Sequence, residues 1–327
     1  MAPSWRPSCW WRKDSSVAAD SIRIRATASV ANVSCGFDCL GYAIPVPGDT
    51  ITIRRRLRPG LTISVSGTNA ARIPLQPEKN TAGKAILSLL EELGSAAGFQ
   101  VDIAKGIPAG SGLGSSAASA AAAVTGVNLL LGSPLSANSL IVHGMAGEAV
   151  ASQALHADNV APALLGGIIL IRSYDPLDIL QLPVPEWLYS TVVLPELTIN
   201  TGSARSILPD RVPLRQAVTQ AGNLAGFTLG LVNGDFDLLG RSMVDLLAEP
   251  YRQALIPGFA AVRRAALDNG AIGCGISGSG PALFALSGSA TVAEIVGRKM
   301  RAEFRNAGLA SICYSSPISS RPPAILD

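Results

Sequence analysis

The chain has 327 residues, more than one hydrophobic core usually covers, so two domains are expected. Hydrophobic residues make up 48% and charged residues 15%, which excludes wholesale disorder and favours a compact chain of mixed helix and strand. The net charge is only +3, and the densest basic cluster, Arg54-Arg55-Arg56 with Arg58, reads as a solvated strand edge rather than a nucleic-acid surface.

No apolar run reaches the roughly 18 residues of a membrane span. The longest candidate, residues 160–171, is interrupted by Pro162 and Gly166-Gly167. Cys9, Cys35, Cys39, Cys274 and Cys313 are odd in number and lack a paired C-x-x-C, so neither a disulfide frame nor a zinc site is supported, and a reducing, cytoplasmic compartment is expected. Residues 1–20 lack the apolar core of a secretory signal and read as a disordered N-terminal extension.

In chain order, Ile22, Ile24, Ala26 and Ala28 alternate with Arg23, Arg25 and Thr27, predicting a strand over 21–29. It runs into a loop of small residues, 30–41, that carries Asn32 and Asp38. Further strands are predicted over 49–56 and 61–67, then a helix over 81–93 capped by Asn80, then a strand over 99–104. That strand delivers the chain into K-G-I-P-A-G-S-G-L-G-S-S-A-A at 105–118.

Three glycines at alternate positions allow backbone shapes and close approaches that a side chain would block. Two serines follow, suited to capping, and then a run of helix formers over 117–131. The first amides of a helix lack internal partners and its dipole is positive there, so this loop is a trap for phosphate. A bare turn would not need Gly110, Gly112, Gly114, Ser115 and Ser116 together. The stretch is not G-x-x-x-x-G-K-[ST], since no lysine precedes Ser115, and it fails the dinucleotide fingerprint at its third glycine. Lys105, just before the loop, has two readings, an added charge for the phosphates or a solvated lysine.

Gly132 and Pro134 stop the loop helix. A second helix is predicted over 137–156, with Glu148 and His156 two turns apart on one face. A buried strand is predicted over 166–172. Pro176, Pro183 and Pro185 then cluster, which puts a boundary between domains 21–175 and 176–327. The second domain reads as a strand over 188–194, a polar turn over 201–206 and helices over 214–231 and 236–247. Glu249-Pro250-Tyr251-Arg252 breaks the latter. A helix over 259–269, strands over 271–276 and 282–286, a helix over 292–307 and a strand over 310–314 complete it. This order suggests an α+β, ferredoxin-like sandwich.

Three blocks now stand in sequence: the loop around Asn32 and Asp38, P-A-G-S-G-L-G-S-S-A-A at 108–118, and G-C-G-I-S-G-S-G-P at 273–281. Together they resemble the three signature motifs of the GHMP kinases, over roughly residues 22–315. Within that family, S-V-A-N-V-S-C-G-F-D-C-L-G at 29–41, H-A-D-N-V-A-P-A-L-L-G-G at 156–167, and residues 201–205 and 249–258 resemble the branch that phosphorylates homoserine. Ser34 and Cys35 depart from it, standing where a Gly-Pro pair is usual.

The resemblance implies the two-domain GHMP kinase fold, with an ATP-binding N-terminal domain like ribosomal protein S5 domain 2 and a ferredoxin-like C-terminal α/β sandwich. It implies ATP-dependent phosphorylation of the L-homoserine hydroxyl in threonine biosynthesis, with Mg²⁺, in a cytoplasmic homodimer without nucleic-acid or membrane partners. By the same resemblance, Pro108, Ala109, Gly110, Ser111, Gly112, Leu113, Gly114, Ser115, Ser116, Ala117 and Ala118 hold the nucleotide, with Asn80 toward its adenosine. Ser116 and Glu148 hold the metal. Asn32, Asp38, His156, Asp158, Arg205 and Arg252 hold the amino acid, and Asn159, Thr201 and Arg205 serve catalysis. Mevalonate-type relatives place an aspartate where Asn159 stands, so no dedicated strong base is expected.

Homoserine is a zwitterion with a primary hydroxyl, and the planar forks of Arg205 and Arg252 suit its carboxylate. Without the resemblance these are surface arginines, Asn32 and Asp38 are loop-capping side chains, His156 is a helix-end histidine, and Glu148 is a polar residue on a half-buried helix. Residues 277–281 are then a glycine bulge between two strands. Two other readings stay open, a mevalonate- or sugar-type GHMP kinase and a catalytically silent ligand-binding relative. The former lacks the paired arginines and the H-x-D-N block, and the intact glycine loop with Glu148 speaks against the latter.

Overall fold

The computed structural model describes residues 20–152 and 155–326. Of the expected extension 1–20, only Asp20 lies among them, and Cys9 lies outside. The first part of the chain forms β1 (Ser21–Ala31), β2 (Leu40–Arg56), β3 (Gly60–Gly67), α1 (Thr81–Glu92) and β4 (Gly98–Lys105). It continues with α2 (Ser115–Leu130), α3 (Ala137–Ser152), α4 (Val160–Leu165), β5 (Ile168–Tyr174) and β6 (Leu177–Leu182). The second part forms β7 (Tyr189–Pro195), α5 (Thr201–Ser206), α6 (Leu214–Asn233), α7 (Phe236–Ser242), α8 (Glu249–Arg252) and α9 (Phe259–Asp268). Then come β8 (Gly273–Ile276), β9 (Leu283–Ser287), α10 (Ala290–Asn306) and β10 (Ser311–Pro317), before the chain returns to the first sheet as β11 (Ala324–Leu326).

The first sheet runs β11-β1-β2-β4-β3, with β5 paired to the start of β2 and β6 to β5. All its pairs are antiparallel except β3 with β4. β2 is longer than its alternation predicts. Its register against β1 jumps between Thr27↔Gly48 and Ser29↔Ala43, so Pro45 and Pro47, which cannot donate to a ladder, fall in the bulge. The second sheet runs β10-β7-β9-β8, which is the 4-1-3-2 order of a ferredoxin-like unit.

The helices follow from their apolar spacing. In α1, Ala82, Ala85, Ile86, Leu89 and Leu90 form one buried stripe, and Asn80 caps the helix by accepting from Gly83 N–H at 3.1 Å. α2 is apolar all round and buried nearly all round, lying between β1, β2, α1 and α3. Its alanine run gives the small radius that this central place needs. The first core extends across the molecule: Tyr42 packs edge-on to Phe284, and its hydroxyl meets Ser190 Oγ at 2.8 Å. The two sheets are thus joined through buried side chains.

Several elements differ from expectation. α3 ends at Ser152 within the described residues, and His156 stands outside any helix, so it does not share a helix face with Glu148. Residues 160–165, to which the sequence assigns no element, form α4; Pro162 falls in its first turn, where a missing N–H costs nothing. The polar turn 201–206 is helical, capped by Asn200, which accepts from Ser203 N–H at 3.0 Å. α7 stops at Ser242, five residues early, where the chain turns to let Asp245 bond the amides ahead of it. The first sheet continues past residue 175, since Pro176 serves the β5–β6 hairpin rather than a linker. Among the described residues no helix is long and apolar enough to cross a membrane.

Candidate active site

The glycine loop leaves β4 over a buried charge. Asp49 Oδ1 accepts from Gly106 N–H at 3.0 Å and Ile107 N–H at 3.1 Å. Its Oδ2 pairs with Lys105 Nζ and accepts from Ser119 Oγ at 2.7 Å. Lys105 Nζ also donates to Ser115 O at 2.7 Å and Ser119 Oγ at 2.9 Å. Of the two readings of Lys105, the solvated one does not hold. Burial pushes its ammonium below the ordinary range, and Asp49 opposes that shift. Asp49 was missed, though one signal was present: it shares the inward face of β2 with Ile51 and Ile53, an odd place for an acid.

Each loop glycine meets two demands. Gly110, Gly112 and Gly114 have φ of 69°, 79° and 63°. A Cβ on Gly112 would stand 2.5 Å from Ser277 O and 2.8 Å from Gly280 O, and one on Gly114 would meet Ser29 Oγ at 2.1 Å. The 277–281 loop closes on this one: Ser277 Oγ donates to Gly112 O at 2.6 Å, and Ala282 N–H donates to Ser111 O at 3.2 Å. The serines do not cap. Ser115 Oγ turns back to Ile107 O at 2.8 Å, and the N-cap of α2 is Gly114, without a side-chain bond. The first amides of α2 thus lack a side-chain acceptor, and the positive end of the dipole faces the cleft.

That cleft, of about 450 Å³, gathers most of the sequence-predicted residues. Ala109 to Gly112, Gly114 to Ser116, Glu148 and Asn80 line it, together with Asn32, Asp38, His156, Asp158, Asn159, Thr201, Arg205 and Arg252. Leu113, Ala117 and Ala118 do not; they are fully buried in the core. Pro108 is half-buried beside the cleft and does not line it. Asn80 lines it, but its side chain is engaged in capping α1 and in donating to Pro74 O at 2.7 Å.

The polar groups divide by charge. Asp38 accepts two bonds from Arg205 Nη1, at 2.9 and 2.6 Å, and lies 3.5 Å from His156 Nε2. Its turn is held by Asn32, whose Oδ1 accepts from Asp38 N–H at 3.0 Å and whose Nδ2 donates to Gly278 O at 3.1 Å. Arg252 is 4% exposed and donates only to carbonyls, Ala204 O at 3.2 Å and Gly278 O at 2.9 Å. Among the described residues no carboxylate forms an ion pair with it. Both guanidinium groups lie over the Phe37 ring. Asn159 Oδ1 accepts from Ser29 Oγ at 2.7 Å, and Thr201 Oγ1 stands 3.5 Å from Ser279 Oγ.

Burial, reinforced by Asp38 and Glu148, pushes the Asp158 carboxyl up to about 8. Burial raises Glu148 to about 7, against a bond from Ser116 and the charge of Lys105. Burial pushes the His156 imidazole down, although Asp38 draws it the other way. Two further residues escaped sequence reasoning. Asp245 accepts from Leu247, Ala248 and Glu249 N–H at 2.7, 3.0 and 2.9 Å and so sets the start of α8, which carries Arg252. Gln220 ties Cys35 O, at 2.8 Å, to Leu246 N–H, at 2.9 Å. Neither lies in a motif.

The arrangement joins a helix N-terminus suited to phosphate with a cationic pocket suited to a small anion. Known proteins agree with it. The family profile for the GHMP kinases N terminal domain matches residues 80–167, and that for the GHMP kinases C terminal domain matches 228–306. A homoserine kinase of Chlorobium phaeobacteroides is 44% identical over 319 residues, 94% of this chain and 99% of its own. One of Xylella fastidiosa is 42% identical, over 93% of each chain. The crystal structure of homoserine kinase from Cytophaga hutchinsonii superposes with a TM-score of 0.91 at 47% identity, covering 94% of this chain and 98% of that one. The mevalonate kinase of L. major, solved with R-mevalonate, shares the fold at a TM-score of 0.68 and 15% identity. With sequence, fold and cleft in accord over nearly its whole length, this chain belongs to the GHMP kinase family, among the homoserine kinases.

Proposed function

We propose that the chain transfers the γ-phosphoryl group of ATP to the side-chain hydroxyl of L-homoserine, giving O-phospho-L-homoserine and ADP, a step toward threonine. The observation that carries this is Arg252: a buried guanidinium in ion-pair contact with no carboxylate among the described residues, in the same cleft as the open N-terminus of α2. An α-carboxylate supplies the missing negative charge there, with Arg205 as the second cation. Asp38, His156, Asp158 and Asn32 then face the ammonium and the hydroxyl.

The nucleotide's phosphates fit residues 109–116, whose amides and glycines leave room for oxygen atoms. Ser116 and Glu148 are hard oxygen donors bonded to each other in the cleft, and that donor set suits Mg²⁺. When bound, the metal would neutralise charge on the phosphate oxygens. Phosphoryl transfer has a loose transition state, so positioning and electrostatics do most of the work. Thr201 and Arg205 on α5, with Asn159 braced by Ser29, hold the reacting groups without a dedicated strong base. A homodimer and a cytoplasmic location belong to this reading on the family resemblance alone.

ADP release, followed with homoserine, mevalonate and galactose in parallel, tests the substrate; homoserine is expected to be strongly preferred, and equal or better turnover of either of the others would refute the reading. Asn159→Ala and Arg205→Ala are expected to lower kcat. Weakened ATP binding with unchanged turnover would contradict their roles.

A further inference from the structure

Two like charges converge on one aromatic ring. Arg205 Cζ lies 5.1 Å and Arg252 Cζ 5.6 Å from the centroid of Phe37, both within cation–π range. The two arginines arrive on separate elements, α5 and α8; burial pushes the Arg252 guanidinium below its ordinary range, Asp38 and Asp245 oppose that shift, and the like charge of Arg205 adds to it. Asp38 is the ion-pair partner of Arg205, while Arg252 rests on backbone carbonyls. Among the described residues only Asp38 forms an ion pair with either guanidinium, Asp245 and Asp158 acting on Arg252 from farther off, so at close range positive charge is in excess.

An acidic residue between the arginines would hold them together and cancel that excess. A π face also attracts both cations, but it carries no net charge to spend on them. Phe37 is only half-buried, and it sits in the turn between Asn32 and Asp38 rather than in either core cluster. Its ring is placed to serve the arginines more than the hydrophobic interior.

We infer that Phe37 is a specificity-determining positioning residue, a shared platform that aligns Arg205 and Arg252 on the substrate's α-carboxylate and thereby selects hydroxy amino acids over hydroxy amines. This rests on the homoserine reading above. The test is steady-state kinetics of the full chain and of Phe37→Leu and Phe37→Tyr, with ATP, L-homoserine and 3-aminopropan-1-ol. The last is homoserine without its carboxylate, read as a substrate or as a competitive inhibitor. Wild-type turnover of homoserine, measured first, checks the underlying reading separately.

The leucine variant is expected to raise KM for homoserine about tenfold, as the loss of two cation–π contacts, one to the buried Arg252 and one to the more exposed Arg205, implies. It is expected to leave KM for ATP and the response to 3-aminopropan-1-ol within about twofold, since neither involves the carboxylate. Tyrosine, which keeps the ring, is expected to behave as wild type. Phe37→Met carries the same test should the leucine variant not fold. Equal losses with both acceptors, a parallel rise in KM for ATP, or no change at all would overturn the inference.

Discussion

Lys105 and Asp49 form an ion pair sealed beneath the glycine loop, with side-chain exposures of 3% and 0%. It joins β2, the end of β4 and the first turns of α2, because the same two side chains also bind Gly106 N–H, Ile107 N–H, Ser115 O and Ser119 Oγ. The phosphate trap is thus anchored from below by charge, while the 277–281 loop fixes it from the side. A loop of glycines has no conformation of its own to defend. Here its shape is imposed by what surrounds it.

Breaking this pair on one side is expected to be costly. Asp49→Asn leaves the Lys105 ammonium buried without its counter-charge, a loss of about 3–5 kcal/mol in comparable cases. Adding Lys105→Met is expected to recover part of it, since the double variant buries no lone charge. Denaturant unfolding of Asp49→Asn, Lys105→Met and the double variant gives the cycle, and a double variant as unstable as the sum of the two single ones would show that the pair is not coupled.

Gly112 and Gly132 separate backbone strain from crowding. Both have positive φ, 79° and 85°, but a Cβ on Gly132 meets nothing within 4 Å, while one on Gly112 runs into Ser277 O and Gly280 O. Gly132→Ala is expected to cost about 1 kcal/mol of stability and leave the kinetics alone. Gly112→Ala forces the two loops apart and is expected to raise KM for ATP at least about tenfold. Equal kinetic effects at both positions would count against the loop contact.

Asp158 makes stability depend on pH. Its pKa rises from 3.8 to about 8 on folding, so the folded state keeps a proton that the unfolded state has released. That contribution is fully present below 3.8 and is lost as pH rises through about 8. Asp158→Asn, which is neutral at every pH, is expected to flatten the decline by up to about 1.4 kcal/mol per pH unit across that window. Melting curves at several pH values check it. Parallel curves for the two proteins would mean that Asp158 is not protonated in the native state.

Periodicity and motif spacing carried most of the fold. The stripe of α1 and the alternation of β1 follow from residues that act locally or repeat. What stayed hidden depends on distant partners. Ser115 looks like a cap until Ile107 O is seen 2.8 Å away, and Lys105 looks solvated until Asp49, on another strand, comes beneath it. Phe37 sits inside a recognised motif, but its role needs two arginines that arrive more than a hundred residues later. The cleft gathered Asn32, Asp38, Asp158, Asn159, Arg205 and Arg252 because their motifs converge there; Asp245 and Gln220, outside every motif, left no comparable trace.

Asp245 supplies the last prediction. α8 is one turn long, too short to hold itself, and a single buried carboxylate gathers its first amide, Glu249 N–H, with the two amides before it. Arg252 sits at the far end of that turn and reaches Gly278 O and Ala204 O from it. Asp245→Ala leaves three amides without their acceptor and lets the turn loosen, a loss of about 1–2 kcal/mol for a cap of this kind. The arginine then loses its aim while the glycine loop, fixed independently by Asp49 and Ser277, does not. KM for homoserine is therefore expected to rise while KM for ATP stays unchanged. A variant in which both constants rise together would show that Asp245 supports the molecule as a whole rather than the placement of Arg252.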